Sequence, residues 1–231
     1  MATTLATFRA WLRLDLNDPA GSAPRFADAD LDRAIDRALT AYSQVWPRLR
    51  DQTLTTTAGS RDVSVAALAG LWTVEEVEWP AGAQAVYPPA LANWRLSPDR
   101  QTLSLLVPAA PGGEPVRVRW ASKHTVDLTT STVPEEHEAL LALGAYGYVC
   151  LAYSTPSADN FRYEDGAMAG MVDDSMIAVE WRRRSEAALA EFRRLLGQLA
   201  VSRTHGARGR VVWSEPRPAP RYPATVDARE P

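Results

Sequence analysis

The 231-residue chain is 46% hydrophobic and 23% charged, with a formal net charge of −3. That composition is globular and excludes a disordered or fibrous polypeptide, and its acidic balance argues against holding nucleic acid as the main task. A single cysteine, Cys150, excludes an intramolecular disulfide, and its place in the apolar run Leu140 to Tyr153 predicts a small buried thiol.

In chain order, the first predicted element is a helix. Leu5, Phe8, Leu12 and Leu16 recur at helical spacing, Thr4 is placed to cap them, and Asn17-Asp18-Pro19 ends the run. Met1 to Leu16 carries Arg9, Arg13 and Asp15 and lacks a basic segment followed by a continuous apolar core, so it does not read as a signal peptide. No window has the ~18 consecutive apolar residues of a membrane span, so a soluble protein made in the cytoplasm is expected.

A second helix follows a Pro/Gly/Ser-rich loop. Asp28 is its expected N-cap, Asp30 and Asp32 suit the positive end of the dipole, and Leu31, Ile35, Leu39, Tyr42 and Trp46 make one face before Pro47. From Asp51 to about Thr130 the signals are β-type. Thr53 to Thr57, Val63 to Val65, Trp72 to Trp79 with a bulge, Leu103 to Val107 and the strictly alternating Val116 to Trp120 are separated by Gly/Pro turns. Short strands at this spacing predict a small antiparallel sandwich or barrel.

Helical signals return at Pro134, followed by Glu135, Glu136 and Glu138. The next helix, Ala139 to Tyr153, is apolar on nearly all sides, and Gly144 and Gly147 suit a closely packed neighbour. A long loop from Ser154 to about Met171 carries Phe161 and Tyr163, and its length points to function or to ordering by a neighbouring subunit. Asp173 or Asp174 is placed to cap the last helix, whose apolar stripe is Ile177, Trp181, Ala188, Phe192, Leu195 and Leu199. Val201 to Pro231 holds six arginines against three acids, so this tail is +3 and the remainder −6. Its glycines and five prolines read as an extended arm, in which Arg210-Val211-Val212-Trp213 is the strand-like run suited to adding to a partner's sheet edge.

The expected architecture is therefore α+β. Residues 1–50 and 133–200 form a four-helix bundle core, residues 51–132 an inserted antiparallel β-sandwich or barrel, and residues 201–231 an extended C-terminal arm.

The sequence carries no phosphate-binding Gly-rich loop and no nucleophile elbow. His124, His137 and His205 lack second ligands at metal spacing; His137-Glu138 is followed at 141 by Leu, where a zinc motif needs His. His137 therefore reads as a solvated residue in a helix first turn. Asp28, Asp30 and Asp32 lack the Gly turn and distal Glu of a calcium loop and read as helix-capping charges. Glu75, Glu76 and Glu78 form an acidic strand run, read either as a solvated face or as a subunit interface opposite Arg117 and Arg119. Arg182, Arg183 and Arg184 fan across more than half a helix circumference, which suits a solvated or interfacial role better than base readout. No catalytic residue, metal ligand or cofactor site is assigned.

The chain resembles the head-to-tail connector, or portal adaptor, proteins of tailed bacteriophages. The residues that carry the resemblance are Phe8-Arg-Ala-Trp-Leu-Arg-Leu-Asp-Leu-Asn-Asp-Pro19, Phe26-Ala-Asp-Ala-Asp-Leu-Asp-Arg-Ala-Ile-Asp-Arg-Ala-Leu-Thr-Ala-Tyr42, Val133-Pro-Glu-Glu-His-Glu-Ala-Leu140 and Asn160-Phe-Arg-Tyr163. The resemblance covers roughly residues 5–50 and 133–200; the β module and tail match in kind only. It implies a non-catalytic virion protein of the neck, assembled in the host cytoplasm, on the path of genome packaging and DNA ejection. It implies a homo-oligomeric ring, typically a dodecamer, that joins the portal protein to the next neck or tail protein around a DNA channel. The C-terminal arm would reach back to the portal, making Arg203, Arg208, Arg210, Val211, Val212 and Trp213 the expected portal-binding residues. Phe161, Tyr163, Arg182 and Arg183, with the Glu75 to Arg119 group, are expected at subunit interfaces. A competing reading is a DNA-binding accessory protein acting through the basic tail and Arg182 to Arg184, marked by salt-dependent affinity for duplex DNA.

Overall fold

Leu5–Asp15 forms helix α1, capped by the Thr4 hydroxyl, which accepts from the Thr7 amide at 3.3 Å. Asn17 follows with φ of 51°, the left-handed conformation that suits the end of a helix. The computed structural model describes residues 3–18, 24–82, 90–155 and 175–206. Helix α2 spans Asp28–Val45 and buries Leu31, Ile35, Leu39 and Tyr42, the face read from the sequence. Its capping position is Ala27, without a side-chain bond. The expectation that Asp28 caps this helix is therefore corrected. Asp28 stands in the first turn, and its carboxylate is taken by two arginines of α1.

Six strands follow: β1 Arg48–Thr55, β2 Asp62–Ser64, β3 Thr73–Glu78, β4 Trp94–Leu96, β5 Thr102–Leu105 and β6 Pro115–Ser122. They form two antiparallel sheets of order β1-β6-β3 and β2-β5-β4. Val63, Val74, Val77, Leu103, Leu105, Val116, Val118 and Trp120 from the two sheets share one apolar cluster, so the module is the expected small sandwich. The expected bulge lies in β3, between Val74 and Glu76. It places Val74 and Val77, three apart, on the same inner face and leaves Glu76 outside. Two details differ from the sequence reading. Strand β1 begins at Arg48, before the expected boundary at 51, and β4 lies between turns with only three residues of ladder. β1 carries little inward apolar signal because most of it is exposed.

The chain returns through a 3₁₀ turn, Glu135–His137, into α3, Glu138–Tyr153. Helix α4, Ser175–Gly206, then packs along α3. Gly144 and Gly147 permit this contact. A Cβ on Gly144 would lie 2.8 Å from the Phe192 ring, and one on Gly147 2.8 Å from Leu189. Ser185 Oγ donates to the Gly147 carbonyl at 2.9 Å in the same seam. The four helices share a core that includes Phe8, Leu12, Ile35, Tyr42, Leu141 and Phe192. Cys150 is fully buried within it. Helix α4 also continues six residues past Ala200, so the first part of the segment read as an extended arm is helical. Ser202 to Gly206 contains no proline, and a C-terminal Gly is compatible with a helix that ends there.

Candidate functional site

Three surfaces gather the residues with chemistry to offer. The first joins α1 to α2. Arg9 and Arg13 lie four apart on α1, and Asp28 and Asp32 lie four apart on α2, so each pair projects from one face. Arg9 binds Asp32 through Nε at 2.7 Å and Nη2 at 2.6 Å, and reaches Asp28 at 3.1 Å. Arg13 is buried; it donates to Asp18 at 2.8 Å, to Asp28 at 2.7 Å and to the Phe26 carbonyl at 3.0 Å. Asp18, also buried, accepts the backbone amides of Arg25 at 2.7 Å and Phe26 at 3.1 Å. Hydrogen bonding to Arg13 holds the Asp28 carboxyl below the usual carboxylate range. These acids are structural anchors, and the signal that reveals them is the matched i,i+4 spacing of opposite charges on two neighbouring helices.

The second surface is the junction between helices and sandwich. His137 is half-buried rather than solvated, which corrects the sequence reading. Its Nδ1 pairs with the Tyr42 hydroxyl at 2.7 Å, and its ring meets Trp46 edge-on at 5.2 Å between centroids. His124 is 4% exposed and sits 5.3 Å from the Tyr42 ring, with Nδ1 at 2.7 Å from the Thr132 carbonyl. Its backbone amide donates to Ser43 Oγ at 3.1 Å, and Lys123 pairs with Asp36. Burial pushes the His124 imidazole below its ordinary value. The cluster ties the helices to the sandwich.

The third surface is an open groove of about 730 Å³ between α1 and α3. Trp11, Leu14, Leu143 and Tyr146 form its apolar floor, Asp15 and Glu135 stand exposed on its rim, and the buried Glu138 lines it from within. Leu14 is 78% exposed, and Trp11 is held edge-on against Phe8 at 5.3 Å. The sequence reading assigned no role to this surface, because Leu14 falls off the main apolar stripe of α1.

The acidic strand run and its arginines meet within one chain. The β3–β6 register sets Glu76 opposite Arg119 and Glu78 opposite Arg117. Arg119 binds Glu76 at 2.8 Å and Asp51 at 2.9 Å, and Arg117 binds Glu78 at 3.1 Å. These opposite charges thus pair across neighbouring strands of one sheet. Glu75 lies at the bulge. On α4, Arg182 pairs with Glu186 at 3.1 Å and Arg184 with Glu180 at 3.2 Å, while Arg183 is exposed. The Arg184 guanidinium lies 5.6 Å above the Trp181 ring. Arg203 falls in the last turns of α4. Phe161, Tyr163, Arg208, Arg210, Val211, Val212 and Trp213, with the expected cap Asp173 or Asp174, lie outside the described residues.

Among the described residues, no group of three or more His, Cys, Asp or Glu side chains could hold a metal ion, and no helix is long and apolar enough to cross a membrane. No protein-family model matches the chain, and no curated protein matches it. A chain in a solved structure described as "Neck of empty GTA particle computed with C6 symmetry" aligns with a TM-score of 0.29 and 20% sequence identity, over 78% of this chain and 89% of that one.

Proposed function

We propose that the protein is a structural component of a tailed-phage neck. It would form a homo-oligomeric ring that joins the portal to the next neck or tail protein around the DNA channel. The observation that carries this reading is the joint packing of three of the segments that resemble portal adaptors. Phe8 to Pro19 supplies Arg9 and Arg13, and Phe26 to Tyr42 supplies the Asp28 and Asp32 they bind. Val133 to Leu140 supplies Glu138, which accepts from the Thr3 hydroxyl at 2.6 Å ahead of α1. A closely packed helical core of this kind suits a ring subunit. The reading as a non-enzyme belongs to this proposal.

The portal contact is assigned to the arm, with Arg210 to Trp213 adding a strand to an exposed sheet edge of the portal. Because α4 runs to Gly206, the informative truncation removes residues 207–231 and leaves the helix whole. The truncated chain is expected to keep its circular dichroism spectrum and to stop co-sedimenting with portal rings. Undiminished co-sedimentation would remove the arm from the portal contact.

A further inference from the structure

We propose that the groove between α1 and α3 is the docking site of the chain's own proline–arginine segment, Pro216-Arg217-Pro218-Ala219-Pro220-Arg221-Tyr222-Pro223. Alternating prolines favour the extended polyproline conformation, which such a segment adopts at little entropic cost. Grooves that take polyproline segments are lined by aromatic rings, and this one presents Trp11 and Tyr146. Pro220 and Pro223 have the three-residue spacing of such ligands.

Charge selects the same occupant. The groove is lined by Asp15, Glu135 and Glu138 and by no cationic side chain, with Arg184 meeting it only at the Tyr146 end, away from Glu135. Among the described residues, neither Asp15 nor Glu135 takes part in an ion pair. The segment brings Arg217 and Arg221 with no acid between them.

Length and position agree. Glu135 to Tyr146 spans eleven residue steps, about 16 Å at helical rise. Six polyproline residues cover a similar ~16–19 Å. Helix α4 runs antiparallel to α3: Trp181 meets Tyr153, Leu189 meets Gly147 and Phe192 meets Gly144. Its C-terminal end therefore leaves past the start of α3, the end of the groove marked by Glu135 and Glu138. The ten residues from Gly206 to Pro216 reach up to about 33–36 Å when extended, enough to turn the end of α3 within one chain. The segment does not overlap Arg210 to Trp213, the run assigned to the portal contact.

The test places one cysteine in the full chain at Leu14 and a second at Ala219. Leu14 is a groove residue with an exposed side chain, so the change leaves the core intact. Cys150 does not compete, because it is fully buried and its thiol is pushed up to about 11. Under mild oxidation at low protein concentration, the Leu14→Cys/Ala219→Cys protein is expected to form an intrachain disulfide. It should form at least about tenfold faster than in a Leu106→Cys/Ala219→Cys control, because docking raises the effective concentration of the pair. Leu106 is similarly exposed, on the sandwich. Adding Arg217→Glu and Arg221→Glu should bring the rate down to the control. Equal rates at Leu14 and Leu106 would overturn the proposal. So would a disulfide that forms only between chains when the two single variants are mixed, which would give the groove to a second copy.

Discussion

Replacing Arg13 by Met keeps the aliphatic stem and removes the guanidinium that ties α1 to the start of α2. The side chains of Arg13 and Asp18 are 10% and 8% exposed, so the substitution strands a buried carboxylate. Breaking a buried pair from one side costs about 3–5 kcal/mol, most of it the unpaired charge left behind. The backbone amides of Arg25 and Phe26 still donate to Asp18, which favours the lower half of that range. For a chain of this size, about 3 kcal/mol lowers Tm by roughly 6–12 °C. Arg9→Met is the control. Its side chain is 24% exposed and Asp32 is 35% exposed, so its loss is expected near 1 kcal/mol. A double-mutant cycle of Arg13→Met with Asp18→Asn, followed by urea unfolding, should return a coupling of about 2 kcal/mol or more. If Arg13→Met costs no more than Arg9→Met, or the cycle shows no coupling, the buried clamp is not what fixes α1.

Two glycines of the α3–α4 pair should respond to alanine with opposite signs. Gly144→Ala gains about 1 kcal/mol of helix propensity but drives a methyl into the buried Phe192 ring, for a net loss of about 1–2 kcal/mol in thermal melts. Gly197 has open space around it, so Gly197→Ala should stabilise by about 0.5–1 kcal/mol. His124 predicts a pH dependence. Its folded-state value lies below the ordinary 6.5 because of burial, so the unfolded chain takes up the proton first as pH falls. Stability from this site is complete above about 6.5 and is lost as pH drops through the folded value. Denaturant midpoints should fall below pH 6.5 in the native protein, and His124→Gln should flatten that slope; an unchanged slope would show that His124 is not responsible.

Local periodicity and local chemistry settled much of the fold. The faces of α1 and α2, the Thr4 cap, the alternation of β6, the bulge in β3 and the close-packing glycines of α3 all follow from residues within a few positions of one another. Those signals rest on φ/ψ preference and on which side of an element meets apolar neighbours. The α+β organisation, with helices flanking a short-stranded module, was legible for the same reason.

Other features depended on partners far along the chain. Asp28 looks like a cap because Asp before an apolar stripe usually is one; only the position of α1 decides that its carboxylate serves Arg9 and Arg13. His137 reads as solvated until Tyr42, ninety-five residues earlier, is brought to its ring. The pairing of Glu76 and Glu78 with Arg119 and Arg117 needed the β3–β6 register. The groove belongs to neither α1 nor α3 alone. The sequence by itself determined the type of most described elements and the faces they bury, because those are short-range properties. Tertiary structure alone decided which charges are anchors and where an apolar surface stays open, because both depend on what packs opposite.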